Sequence, residues 1–371
     1  MVWGARVWRF DRTGRFEALA EPGRAVRRGL DHRMVESVAA GPGAGSYRQY
    51  RDLEDSESDG VIAGALAAVD RAKRSGAPDI PEAVFRRMRF WTPDVLRLDR
   101  GAFRMAYQPV AILPPDRYRD VVIQITHGCS YNRCTFCDFY RGRPFHIQTD
   151  AELRAHLHRV VSFFGERLQD RTGLFLGDGN ALVTPFARLT QMLGAVREAL
   201  PAAEKGGPRG AVGAFMDTFD LKYKTDAQLR ALRALGLDAV YMGLESGHDA
   251  VREGLRKPGT AQEACAAVRR LKEAGYRVGV MALVGVGGPR WAEAHEQATS
   301  AALGRMALDR GDVIYLSPLV PPASAPDGQT EWLQPMAPEE LAGRYRVWRR
   351  RLAEQWPRVR VSLYAVQHHL Y

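Results

Sequence analysis

Three of the chain's four cysteines, Cys129, Cys134 and Cys137, are crowded together directly after the apolar run Asp120-Val-Val-Ile-Gln-Ile-Thr126. Soft thiolates suit iron-sulfur centres and zinc alike. A closed structural zinc site takes four ligands. Three thiolates with no fourth nearby therefore match a cubane cluster in which the protein holds three irons and leaves one open to a ligand. The alternative is a zinc knuckle closed by His127 or His146. The remaining cysteine, Cys265, sits among Ala264, Ala266 and Ala267 on a helical stretch and reads as a small buried filler.

Such a loop needs a rigid platform. Beyond residue 120, short β-rich runs alternate with amphipathic helices, the pattern of repeated βα units around a parallel sheet or barrel. The expected strands are 120–126, 173–178, 211–216, 238–244, 276–284 and 312–317. Three helices open with capping boxes, Thr149 with Glu152, Thr225 with Gln228, and Thr260 with Glu263. Their apolar faces are Leu153, Leu157 and Val160; Leu229, Leu232 and Leu235; and Ala264, Val268 and Leu271. The fold class is α/β, a partial (β/α)6 TIM-like barrel with N-terminal and C-terminal extensions. In βα architecture functional groups gather where the strands end. The cysteines lie there, and so do Gly177-Asp-Gly-Asn180, Gly243-Leu-Glu-Ser-Gly247, Gly285-Val-Gly-Gly288 and Ser317-Pro318.

The phrase Gly128-Cys-Ser-Tyr-Asn-Arg-Cys-Thr-Phe-Cys-Asp-Phe-Tyr-Arg-Gly142 resembles the cluster loop of the radical S-adenosylmethionine (SAM) superfamily. It is similar to a branch related to the methylthiotransferases, Elongator's catalytic subunit and oxygen-independent coproporphyrinogen oxidase. The family's usual spacing is three residues and then two; here the first gap holds four. The resemblance covers about residues 120 to 318. It implies a 4Fe-4S cluster on Cys129, Cys134 and Cys137 whose free iron chelates SAM, reductive cleavage of SAM to a 5′-deoxyadenosyl radical, and an external one-electron reductant such as flavodoxin or ferredoxin. The cluster must work at the low end of the roughly −700 to +450 mV range open to such centres.

By the same resemblance Phe136 lies beside the adenine, Gly177 and Asp178 meet the SAM amino group, and Glu245 and Ser246 contact its ribose and methionyl ends. Arg256 or Lys257 pairs with its carboxylate. Gly285, Gly287 and Gly288 let backbone approach the nucleoside. Asp178 and Glu245 also suit a second role, capping the helices that follow their strands. His156 and His158 read as surface groups on a helix. Tyr140, Arg141 and Arg143 either meet substrate or pack the loop. No second cysteine cluster accompanies the first, which argues against sulfur insertion of the methylthiotransferase kind.

The other segments carry no recognisable chemistry. Residues 1–60 read as an appendage: a hairpin of Arg6–Phe10 and Arg15–Leu19, then a polar linker from Gly41 to Gly60. Residues 61–118 form a helical and irregular accessory segment, irregular from Leu96 to Pro115, and 119–320 the core. The C-terminal extension, 321–371, has a helix from Pro338 to Glu354 and strand-like alternation in Arg358–Tyr364. No apolar stretch reaches the roughly 18 residues of a membrane span, and the N-terminus lacks a signal-peptide core, so the cytoplasm is expected and no membrane partner. The net charge of +10 suits nucleic acid, anionic lipid or an acidic small molecule without choosing among them. From another functional class, a zinc-stabilised, non-catalytic RNA-binding protein competes with the enzyme.

Overall fold

Runs of Val, Leu, Ile, Phe and Met covered on both faces can only be strands of a sheet sandwiched under helices. The computed structural model, which describes residues 2–39, 48–76, 80–200, 210–322, 331–366 and 369–371, contains such a sheet. Its strands are β1 (Val121–Gln124), β2 (Leu174–Gly177), β3 (Val212–Met216), β4 (Leu237–Glu245), β5 (Arg277–Val284), β6 (Val313–Pro318) and β7 (Arg360–Leu363). They pair side by side in chain order, all parallel, with Phe175 opposite Val122 and Tyr241 opposite Phe215. β1 and β7 are the two edges. This is the α/β partial barrel read from the sequence, lengthened by a seventh strand from the alternating Arg358–Tyr364 stretch.

The helices Asp150–Phe164, Asp226–Ala234 and Ala261–Glu273 begin where their capping boxes lie. Thr149 N donates to Glu152 at 2.7 Å and Glu152 N to Thr149 Oγ1 at 3.3 Å, a device worth about 1 kcal/mol of helix stability. The expected apolar faces are buried with one exception. Leu235 is the C-cap of its helix and 41% exposed, because the helix stops at Ala234 and the chain turns before this position can face the sheet.

The chain divides into two compact units, residues 1–109 with 158–171 and 368–371, and residues 110–157 with 172–367. The sheet and the cysteines belong to the second. In the first, six antiparallel strands pair in chain order. Arg6–Phe10 and Phe16–Glu21 form the expected hairpin, followed by Arg24–Arg28, Met34–Ala39 and Arg48–Asp52. The stretch read as a linker from Gly41 to Gly60 thus holds a strand and the start of the helix Asp55–Arg74; its residues 41–47 lie outside the described ones. The stretch from Leu96, read as irregular, is largely the helix Pro93–Ala106. Its apolar stripe is disguised by Asp99, which is buried against Arg15 at 2.8 Å between Leu96 and Phe103. Thr92 caps this helix and Pro93 occupies its first turn.

Within 321–335, residues 323–330 are outside the described ones, and Glu331–Leu333 make one short turn. The helix Pro338–Gln355 forms where expected. Among the described residues no helix is long and apolar enough to cross a membrane.

Candidate active site at the strand ends

The cysteine loop leaves β1 through a short antiparallel pair, Thr126–His127 with His146–Ile147. Gly128 turns it at φ 72°, and an added Cβ would lie 3.0 Å from the Arg143 carbonyl oxygen, so the loop closes tightly only on glycine. Asn132, at φ 46°, donates from Nδ2 to the Tyr140 carbonyl at 2.8 Å, and Arg141 donates to the carbonyls of Asn132 (2.8 Å) and Cys134 (2.9 Å). Thr135 N is tied to the Leu255 carbonyl at 3.0 Å. Arg141 therefore packs the loop, and Tyr140 is buried on its inner side.

All three thiols are free and half-buried, and all three line one cavity of about 490 Å³ above the C-terminal ends of the strands. Burial pushes the Cys134 thiol up to about 12, against the pull of Lys257, and Cys137 to about 11, against a hydrogen bond from the Phe139 backbone. Such thiols ionise when a metal replaces the proton, so loading releases protons.

Opposite the loop, Lys257 places Nζ 2.8 Å from Asp217 and 3.8 Å from Glu245. Burial alone would lower the Lys257 pKa. Asp217, Glu245 and Cys134 together outweigh it and hold the ammonium charged. Glu245, at φ 62° on the end of β4, has its pKa raised by burial, with Lys257 opposing. Asn180 also lines the cavity, its Nδ2 held at 3.0 Å by both oxygens of Asp220, its Oδ1 accepting from Ser130 at 3.1 Å. Burial lifts Asp220 to about 7. Gly179 lies so close to the loop that an added Cβ would be 2.9 Å from that of Cys129.

Phe136, Glu245 and Lys257 thus share the cavity with the cysteines, as do Tyr140, Gly179, Asn180, Gly243, Ser317 and Pro318, whereas Gly177, Asp178, Ser246, Arg256, Gly285, Gly287 and Gly288 do not line it. Asp178 is turned beneath the loop, accepting from Gln124 Nε2 at 2.9 Å and Gly128 N at 3.3 Å; Gly177 packs over Val122. Ser246 is buried, donating or accepting at His295 Nδ1 (2.8 Å) and accepting from His248 N. Arg256 is exposed. Gly285, Gly287 and Gly288, all at positive φ, turn the chain into the helix Gly288–Gly304, with Gly285 against Leu341. His158 is exposed as expected, but His156 is buried and accepts from Gln124 N at 3.0 Å. Cys265 is the buried filler, donating to the Ala302 carbonyl. Asp217 and Asp220, absent from the sequence reading, form a capping box at the turn that follows β3, with Asp217 N donating to Asp220 at 2.7 Å.

The donor set fits a cluster with an open corner. Among the described residues no three His, Cys, Asp or Glu side chains gather around a single-ion position. His127 Nε2 lies 3.0 Å from Gln148 and His146 Nε2 2.8 Å from Glu152. A cavity of this size, with a fixed cation beside a carboxylate and an aromatic ring, is of the class that holds small-molecule cofactors.

Comparison with known proteins agrees. Residues 123–298 match the family model described as Radical SAM superfamily. No curated protein matches the sequence. Among solved structures, methylornithine synthase is 15% identical over 65% of this chain and 63% of its own, with a TM-score of 0.44. Coproporphyrinogen III oxidase from Escherichia coli is 14% identical over 64% of this chain and 54% of its own, at 0.43. The methyltransferase TsrM from Kitasatospora setae, a radical SAM enzyme, is 19% identical over 57% and 39%, at 0.39. This chain therefore spans less than two thirds of the length of each. The family match decides for an enzyme over the zinc-stabilised RNA-binding alternative. The segment 123–298, a little under half of the chain, is thus a radical SAM domain, of a superfamily whose enzymes use a 4Fe-4S cluster and SAM and draw on a reductant.

Proposed function

We propose that this protein reductively cleaves SAM at a 4Fe-4S cluster on Cys129, Cys134 and Cys137 and turns the resulting 5′-deoxyadenosyl radical on a substrate admitted to the same cavity. One observation carries the reading: three free thiols and the Lys257–Glu245–Asp217 group line one cavity at the strand ends. When bound, the cluster and SAM supply the electron and the hydrogen-abstracting group.

The chain's part is to bind, orient and enclose. Lys257 takes the SAM carboxylate while Asp217 fixes its ammonium in place. Glu245 accepts from the amino or ribose groups, and Phe136, packed on Leu255 and Leu283, supports the adenine. Arg256, exposed, yields the cationic role to Lys257. Gly177, Asp178 and Ser246 act as supports: Asp178 ties the Gly128 turn to β1, and Ser246 ties the end of β4 to His295. A flavodoxin or ferredoxin suits the reductant.

The test is anaerobic reconstitution, metal analysis, and assay for 5′-deoxyadenosine after dithionite reduction with SAM. About four irons per chain and 5′-deoxyadenosine formation are expected. A single zinc, or a loaded cluster that leaves SAM intact, would sink the reading.

A further inference from the structure

We infer that Asp178 is a positioning residue for the cluster whose buried negative charge, held against the turn that carries Cys129, lowers the potential at which the cluster accepts its electron. The inference rests on the three cysteines holding a 4Fe-4S cluster, and concerns a residue that does not line the cavity. Asp178 directly follows β2, and its side chain is 3% exposed. One carboxylate oxygen accepts from Gln124 Nε2 at 2.9 Å, the other from Gly128 N at 3.3 Å. The next residue completes the grip. Gly179 N donates to the Gly128 carbonyl at 3.1 Å, and an added Cβ on Gly179 would lie 2.9 Å from that of Cys129. Residues 178 and 179 thus hold both the N–H and the carbonyl of the residue before the first thiol.

Hydrogen bonding alone does not explain the charge. A neutral amide side chain here would also accept from Gly128, whereas a buried carboxylate with no cation beside it is costly. Among the described residues its one ion-pair partner is His127, with Nδ1 at 4.0 Å. Burial, then the neighbouring His146, lowers the His127 pKa, so above neutral pH that ring carries no charge. Burial pushes Asp178 up to about 6, opposed by Gln124, Gly128 and the more distant Arg143, so the carboxylate is ionised in mildly alkaline buffer. Its field reaches the inner side of the loop: the pKa of Tyr140 is raised first by burial and then by Asp178, Cys137 and Cys129. In such surroundings a fixed negative charge opposes the arrival of an electron and pushes a cluster's potential down. That is the direction reduction of a sulfonium requires. The reductant supplies the one electron, and no bond is made or broken at Asp178.

The experiment is an anaerobic redox titration of the loaded protein without SAM, in mildly alkaline buffer, followed by the electron paramagnetic resonance signal of the reduced cluster. Asp178→Asn should favour reduction about tenfold, a rise of about 59 mV for one electron, with iron content and signal shape unchanged. Asp178→Glu disturbs the turn at least as much but keeps the charge, and should stay within about twofold of wild type. No rise in Asp178→Asn, a fall, or an equal rise in Asp178→Glu overturns the inference. Where Asp178→Asn takes up no iron, Asp178→Ala takes its place with the same expectation. Failure of both to take up iron assigns Asp178 to the shape of the loop and overturns the tuning. The wild-type preparation is also assayed for 5′-deoxyadenosine with SAM. A loaded protein that leaves SAM intact overturns the proposed function, and the potentials still decide the tuning. Cleavage of SAM with a potential unmoved by Asp178→Asn overturns the tuning alone.

Discussion

The same seven strands end in two cavities of nearly equal volume and opposite chemistry. At their N-terminal ends, about 500 Å³ is lined by Asp116, Arg117, Asp120, Arg277, Asp312 and Arg360 among others. At their C-terminal ends, about 490 Å³ is lined by three thiols, a paired lysine and a hydrocarbon wall. Three charges of the lower cavity are paired: Arg117 with Asp120 at 3.0 Å, Arg277 with Asp238 at 2.7 Å, and Asp312 with Lys272 at 2.6 Å. Asp116 accepts from the hydroxyls of both Tyr241 and Tyr315 inside the barrel. Volume alone does not find a site. The lower end uses its polar groups to close the barrel floor, and the upper end leaves reactive groups unspent, as expected where βα loops converge.

The largest effect expected is on the upper side. Cys134→Ala should bring 5′-deoxyadenosine formation below detection while the far-ultraviolet circular dichroism is kept; any residual cleavage at a wild-type rate would detach the chemistry from the loop. On the lower side, Arg117→Met leaves Asp120 buried without its cation and should cost about 3–5 kcal/mol in denaturant unfolding. Per folded molecule it should leave SAM cleavage intact, and a loss there would erase the division of labour between the two ends. Lys257→Met should weaken SAM binding about 10- to 100-fold with iron content unchanged, and Arg256→Met should not weaken it, measured by equilibrium dialysis under anaerobic conditions.

A smaller effect concerns Asp220, which supports Asn180 from below. Its folded pKa of about 7 lies above its ordinary 3.8, so the folded chain holds the proton more tightly than the unfolded one. Its contribution to stability is complete below about pH 3.8 and is lost as pH rises to about 7, with a slope of up to about 1.4 kcal/mol per pH unit. Asp220→Asn should flatten unfolding free energy across that window, and an unchanged profile would show that the carboxylate is ionised in the fold. Smallest is Cys265→Ala, expected to cost about 1 kcal/mol and no iron, since this thiol only fills space beside Ala302.

Much of the platform was legible because it is repetitive. The six strands announce themselves by apolar runs covered on both faces, and the three capping boxes and the cysteine loop by residues only a few positions apart. In the first hundred residues the first hairpin and the helical pattern from Val61 to about Arg89 were legible, and the later strands were not. The short antiparallel strand Arg48–Asp52, with Gln49, Arg51 and Asp52 exposed, reads as polar linker when taken residue by residue. The helix Pro93–Ala106 hid behind a buried Asp99 whose partner, Arg15, is 84 residues away. His156 was misread for the same reason: its partner is the backbone of Gln124.

From the sequence by itself came the three thiols in one short loop, the alternation that builds a parallel sheet, and the end of that sheet where the loop must lie. Tertiary structure alone decided which of the polar residues there face inward. It chose Lys257 over Arg256, turned Asp178 and Ser246 into supports, and brought Asp217, Asn180 and Tyr364 to the cavity wall. The reason is geometric: spacing along the chain says which strand end a residue occupies, and only the packing of all seven strands says which way its side chain points.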